Sequence, residues 1–355
     1  MEFNRDVSVL ALQAYQRLVN REISVCEPLA SSGVRGVRYA AEVHGACKVL
    51  INDMSTRAVE VAKHNVELNK LEDRVSVKNK DANCLLSCHG APRKRFDVID
   101  VDPFGTPAPY MDSAMRALRN HGLLALTATD LAPLCGVHAK ACIRKYGGKP
   151  LRTEYCHELA VRLLTGCTAS LAAKHEIGIH LLFSHSTDHY IRIYAKIDYG
   201  AKKADESLKS MGYVLHCFSC LHRETVTAPF GTSIEQCPEC GSRMDYAGPL
   251  WLGRILDRQF CEAMQTENTH RALRNSARIA KLVSLAKDET EAPPTYFVFD
   301  KISNKLSLSA PSVAAMLKLL CENGFQAVPT HFNSRGVKTD APARTLQDLV
   351  KSSTR

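Results

Sequence analysis

Residues 96–106, FDVIDVDPFGT, decide how the rest of the chain is read. Apolar residues interrupted by acids run up to a break at Pro103 and Gly105. The pattern predicts a central buried strand that runs out into an exposed loop carrying Asp102 and Phe104. In open α/β sheets the loops at the carboxyl edge are free of packing duty and hold the chemistry. A carboxylate that accepts an N–H beside an aromatic plate can hold a flat heterocycle bearing an amino group.

The flanking sequence supplies neighbours for that strand. Upstream, a strand over 24–29 ends in a small-residue turn where Gly33 and Gly36 would let the backbone approach a ligand closely, and a helix follows from Val37. KVLINDMS then ends on Asp53, before the helical TRAVEVAKHNVELN, and RVSVKNKDA ends on Asp81-Ala82. Downstream, GLLALTATD reads as a fifth strand ending at Asp130. Glu27, Asp53, Asp81 and Asp102 therefore fall on four successive strand ends, as in a doubly wound sheet with an adenosine-containing ligand along its carboxyl edge. Asp53 either accepts the ribose hydroxyls or caps the helix after it. The strict dinucleotide glycine spacing is absent, which disfavours a pyrophosphate cradle. S-adenosyl-L-methionine, with a ribose and an adenine but no phosphate, is the better ligand. IGIHLLFSHSTDH and YIRIYAKID predict an antiparallel pair that closes the sheet. Ahead of all this, a helix is expected over 7–19, and the polar cluster Asn4-Arg5-Asp6 at its start either caps it or serves a site.

Composition bounds the partners. Of 355 residues, 46 are Lys or Arg and 37 Asp or Glu, for a net charge of +9, which favours a polyanionic partner. No apolar run reaches the ~20 residues of a membrane span, and no signal peptide is evident at the start. Most of the 14 cysteines sit singly in apolar patterns, as buried thiols do in a reducing compartment. The expectation is a cytoplasmic chain, a monomer with no obligate protein partner. Four cysteines differ. Cys217, Cys220, Cys237 and Cys240 form two CxxC pairs 16 residues apart, the pattern of a zinc ribbon whose Zn2+ is structural. His138 and His157 have no ligand spacing and read as structural or surface residues.

Beyond this segment, a helix over 261–286 aligns Arg271, Arg274, Arg278 and Lys281 on one basic face. After DETEAPP, the order YFVF, SVAAMLKLLCENGF and AVPTHFNSRGVKT suggests a winged-helix-like module with a basic turn at Arg335 and Lys338. The expected architecture is thus α/β: a class I S-adenosylmethionine-dependent methyltransferase, Rossmann-like, with a mostly parallel sheet and an antiparallel closing strand. The methyltransferase domain spans 1–210, a zinc-ribbon-like segment 211–247, and an α+β winged-helix-like domain 248–355 whose basic turn can lie along a nucleic-acid backbone, tRNA if the resemblance below holds.

NRDVSV, SSGVRGVRYA, IND, Asp81-Ala82, DVDPFGTP, TATDLAPLCG, RKYGGKPLRTEYCHE, GPLWLG and THFNSRGVKTDAP occur together over nearly the whole length. In these stretches the chain resembles the tRNA (guanine(26)-N2)-dimethyltransferase family, in the compact form of its archaeal members. The resemblance implies two successive methyl transfers from S-adenosylmethionine to the exocyclic N2 of guanosine 26 in tRNA. It implies a cofactor site at Arg5, Arg35, Asp53, Asp81 and Ala82. It makes Asp102 the catalytic carboxylate, with Pro103 stiffening the loop and Phe104 stacking on the base. It also implies a Phe-Tyr-Asn-Pro stretch ahead of the position of Met1, adding an aromatic wall to the base pocket. On the residues alone two other readings stay open. One is an adenine-N6 or cytosine-N4 methyltransferase, which uses a similar acid-Pro-aromatic loop; the other is a non-enzymatic zinc-containing RNA-binding protein.

Overall fold

The computed structural model describes residues 2–227 and 236–353. The chain opens with α1 (Glu2–Val19) and then alternates β1 (Ile23–Glu27), α2 (Val34–Glu42), β2 (Ala46–Asn52), α3 (Thr56–Leu68), β3 (Val75–Lys78), α4 (Ala82–Cys88), β4 (Phe96–Val101), α5 (Ala108–Ala117) and β5 (Leu118–Ala128). Three helices follow, α6 (Leu131–Leu134), α7 (Ala139–Tyr146) and α8 (Cys156–Ala173), then the hairpin β6 (Ile177–Thr187) and β7 (Tyr190–Tyr199), and α9 (Ala201–Lys209). The seven strands form one sheet in the order β3-β2-β1-β4-β5-β7-β6. β1 to β5 pair in parallel, whereas β7 runs antiparallel to both β5 and β6. All six residues of β4 are buried, as a central strand covered by helices on both faces must be. The order reverses between β1 and β4, so Glu27 and Asp102 flank the crevice where such sheets bind ligands.

Two local readings change. Asn4-Arg5-Asp6 is not a cap but part of α1; Asn4 and Asp6 are buried, and Asp6 takes an ion pair from Arg38 at 2.6 Å. Gly36 does not bring the backbone to a ligand. A Cβ there would lie 2.6 Å from Ile51 Cγ1, so this glycine lets α2 pack on β2.

The remaining chain builds two small sheets. β8 (Met211–His216), β9 (Arg223–Val226) and β10 (Asp245–Trp251) pair antiparallel in the order β10-β8-β9. β10 runs through residue 247, where the sequence suggested a boundary. After α10 (Arg258–Thr269) and α11 (Ser276–Asp288) come β11 (Phe297–Val298), α12 (Phe299–Leu306), α13 (Val313–Glu322), β12 (Ala327–Thr330), β13 (Asn333–Thr339) and α14 (Ala343–Ser353). The last sheet has the order β11-β13-β12, so the winged-helix-like sequence of elements is present, with α12 added.

The basic features assigned to this region are rearranged. The helix expected over 261–286 is broken at 270–275, and Arg271 and Arg274 lie in the break rather than on one helical face. Arg271 donates to the side-chain Oε1 of Gln13 at 2.9 Å, whereas the Arg274 side chain is 83% exposed. Lys338 is buried, not part of an exposed basic turn. Its Nζ donates to Glu158 Oε1 of α8 at 2.8 Å and lies 3.5 Å from Glu289. Arg162 completes the group at 2.8 Å from Glu158, and His331, in the β12–β13 turn, hydrogen-bonds Glu289. Burial opposes the charge on Glu289, but His331 and Lys338 outweigh it and hold its pKa at about 2. Removing one partner from such a buried set typically costs ~3–5 kcal/mol. The turn therefore fastens the C-terminal elements to α8. Of the two basic residues assigned to it, Arg335 remains exposed and pairs with Asp300 at 2.8 Å.

Candidate active site and cysteine centre

Side chains two apart on a strand share a face, which aligns Asp100 inside the sheet with Asp102 at its edge. Arg35, from the buried face of α2, reaches both. Its guanidinium lies 3.2 Å from Asp100 Oδ2 and hydrogen-bonds Asp102 Oδ2. Asp100 also accepts from Tyr39 at 2.5 Å and from Arg192 of β7 at 2.7 Å. Arg192 is fully buried and donates as well to Tyr194 at 2.8 Å and to Thr127. Burial opposes ionisation of Asp100, but Arg192 and Arg35 prevail and hold its pKa below the usual carboxylate range. The result is a charged, hydrogen-bonded floor beneath Asp102, whose side chain retains 13% exposure. That carboxylate is fixed from below and open above.

The loop that follows is also fixed. Gly105 donates to Thr129 Oγ1 at 2.7 Å, and Thr129 N–H returns to the Gly105 carbonyl at 2.9 Å. Gly105 has φ of 89°, a left-handed conformation suited to glycine. Between these constraints Phe104 is 99% exposed, and α5 begins only at Ala108. The residue is not a buried member of a helix turn. A large apolar ring held in solvent on a rigid loop forgoes ~2 kcal/mol of burial and leaves both faces free to stack.

The other strand ends surround this point. Glu27 is buried, and its Oε2 accepts the Gly36 N–H at 2.9 Å. Burial pushes its pKa up to about 8, against Arg35 and with help from Asp100. Asp53 follows β2 and accepts from Ser31 N–H at 2.8 Å and Ser55 N–H at 2.9 Å. Ser55, not Asp53, caps α3. Asp81 lies three residues beyond β3, caps α4 through Cys84 N–H at 2.9 Å, and precedes the buried Ala82. Arg5 is half-buried on α1, and its side chain makes no ion pair or hydrogen bond among the described residues. Met54, 72% exposed beside Asp53, is an apolar surface that motif reading passed over.

The four predicted cysteines converge. Their sulfurs lie within 4.8 Å of one another, with Cys217–Cys240 at 3.5 Å and Cys220–Cys237 at 3.4 Å. Four ligands at a Zn–S distance of ~2.3 Å would be ~3.8 Å apart, so the set fits a tetrahedral ion. The two knuckles repeat one backbone pattern. Leu221 N–H reaches the Cys217 carbonyl at 2.9 Å, and Gly241 N–H the Cys237 carbonyl at 2.8 Å. Bound as thiolates, the four cysteines would fill every position of such an ion, which is a bracing rather than a catalytic arrangement.

With this geometry in place, similarity to known proteins is informative. The sequence model of the N2,N2-dimethylguanosine tRNA methyltransferases matches residues 1–351. The chain belongs to this family. Relatives named tRNA (guanine(26)-N(2))-dimethyltransferase include that of Methanobrevibacter smithii, 44% identical over 352 residues, covering 99% of this chain and 90% of the relative. One from Aquifex aeolicus, named for guanines 26 and 27, is 35% identical over 349 residues, covering 96% of this chain and 85% of the relative. Trm1 from Pyrococcus horikoshii, solved in complex with S-adenosyl-L-methionine, superposes with a TM-score of 0.88 at 33% identity, over 99% of this chain and 93% of that one. The family fold is thus the fold described above.

Proposed function

We propose that this chain transfers methyl groups from S-adenosyl-L-methionine to the exocyclic N2 of guanosine 26 in tRNA, twice in succession. The observation that carries the reading is a carboxylate anchored by Arg35 beside a fully exposed phenyl ring on one rigid loop. When bound, the cofactor supplies an electrophilic methyl on a sulfonium. The guanine amine is a weak nucleophile because its lone pair is delocalised into the ring. Asp102, accepting an N2–H bond, keeps density on nitrogen and takes the proton as the N–C bond forms and the S–C bond breaks. Phe104 stacks on the purine and Pro103 limits the loop, so the amine is held in line with the methyl. The base leaves its stack in the tRNA to reach this edge of the sheet.

The cofactor is assigned to Arg5, Arg35, Asp53, Asp81 and Ala82. Asp53 has its carboxylate oriented by two backbone N–H groups and takes the ribose hydroxyls. Asp81 retains one oxygen beyond its cap bond for the adenine amine, and Met54 offers apolar surface to the ring. Residues 1–210 carry the chemistry, the zinc-ribbon-like segment 211–247 braces, and 248–355 docks tRNA. Exposed Arg274 and Arg278 supply part of that basic surface. The enzyme works as a cytoplasmic monomer without an obligate protein partner.

Asp102→Ala tests the assignment. Methyl transfer should fall at least ~100-fold, the usual range for a positioned proton acceptor, with tRNA affinity nearly unchanged. A large loss of tRNA binding, or transfer at the wild-type rate, would overturn the role of Asp102.

A further inference from the structure

The segment after β5 and the amino terminus of α8 bring together a second group of soft ligands. The sulfurs of Cys135 and Cys156 and a ring nitrogen of His157 all lie within 4.8 Å of one another. The three residues are half-buried, and none belongs to the Asp102 loop or to the CxxC knuckles. Their backbone is well held. Cys135 closes α6 with its N–H on the Leu131 carbonyl at 2.7 Å, and Cys156 opens α8 with its N–H on the Thr153 carbonyl at 3.3 Å.

We propose that Cys135, Cys156 and His157 form a second zinc site, with three protein ligands and a fourth position open to water. Two thiolates neutralise the ion and one imidazole completes a donor set typical of open zinc centres. Ligand atoms on such an ion lie ~3.3–3.8 Å apart, so a small side-chain rotation closes the set. Binding releases the two thiol protons to solvent. Cys156 sits on the first turn of an 18-residue helix, whose free N–H groups favour a thiolate. The ion would join the α6–α7 segment to α8. Asp130, at the head of that segment, accepts from Tyr146 at 2.6 Å, and adjacent Thr129 clasps Gly105. The site therefore braces the base-binding loop from behind, independently of which base the loop holds.

The test is zinc stoichiometry on full-length protein, loaded with excess zinc under reducing conditions and then freed of loose metal. Wild type should hold two ions per chain. Cys135→Ser and Cys156→Ser should each hold one, and the Cys217→Ser/Cys220→Ser pair should also hold one. Should a serine variant fail to fold, His157→Ala loaded with cobalt gives a second readout. Thiolate-to-cobalt absorption should fall by about a third, from six thiolates to four. One zinc per wild-type chain, or a ratio unchanged by Cys156→Ser, overturns the site.

Discussion

Truncating Phe104 separates function from stability more cleanly than any other change at the site. Its side chain is 99% exposed, so Phe104→Ala removes almost no buried surface and leaves no cavity. The loop conformation is set elsewhere, by Pro103 and the reciprocal Gly105–Thr129 hydrogen bonds of 2.7 and 2.9 Å. Stability should therefore stay within ~0.5 kcal/mol of wild type, a negligible change in Tm for a chain of this size. Stacking of a base on an aromatic side chain is worth ~1–3 kcal/mol. At ~1.4 kcal/mol per decade, loss of the ring should lower kcat/KM for tRNA roughly 5- to 150-fold. Contacts to the tRNA backbone persist in the variant, so the loss should appear more in kcat than in KM. Methyl incorporation at saturating and limiting tRNA, together with thermal melting, reads both quantities. Phe104→Tyr should recover most of the rate. A Tm drop of several degrees would make the ring structural, and an unchanged kcat/KM would remove it from the base pocket.

Three further outcomes follow from the same geometry. Cys217→Ser/Cys220→Ser should lose one zinc ion and lower Tm before it lowers the specific activity of the folded fraction; unchanged metal content would refute the ribbon. Neutralising exposed Arg274 and Arg278 to Gln should weaken tRNA binding and flatten its salt dependence by up to ~2 in the log–log slope, whereas a parallel slope would make them solvent-facing bystanders. Glu27 binds its proton more tightly folded than unfolded, with a pKa of about 8 against 4.5. Its contribution to stability is therefore complete below pH ~4.5 and is lost as pH rises towards 8. Glu27→Gln, which can still accept the Gly36 N–H, should raise Tm relative to wild type at pH 8 and above; an equal Tm difference at pH 5 and pH 8 would contradict the raised pKa.

What the sequence made legible follows from how parallel sheets are built. Strands buried on both faces read as apolar runs, and the acids at their ends stand out because nothing in the core calls for them. Asp53, Asp81 and Asp102 were visible for that reason. Arg192 was not. In YIRIYAKID it looks like the polar side of a half-exposed strand, and only the insertion of β7 beside β5 buries it against Asp100. Lys338 misled in the same way, since its partner Glu158 lies 180 residues away in sequence. The break at 270–275 contains neither Pro nor Gly, and helical apolar spacing runs straight across it. His157 showed no ligand spacing because Cys135 joins it only through the segment that carries α7 between α6 and α8.

The central claim concerns one atom of one nucleoside. Unmodified tRNA incubated with the protein and S-adenosyl-L-methionine, then digested and mapped by mass spectrometry, should contain N2,N2-dimethylguanosine at position 26. Methylated adenosine or cytidine, or unmodified guanosine at 26 with cofactor demonstrably bound, would contradict the account.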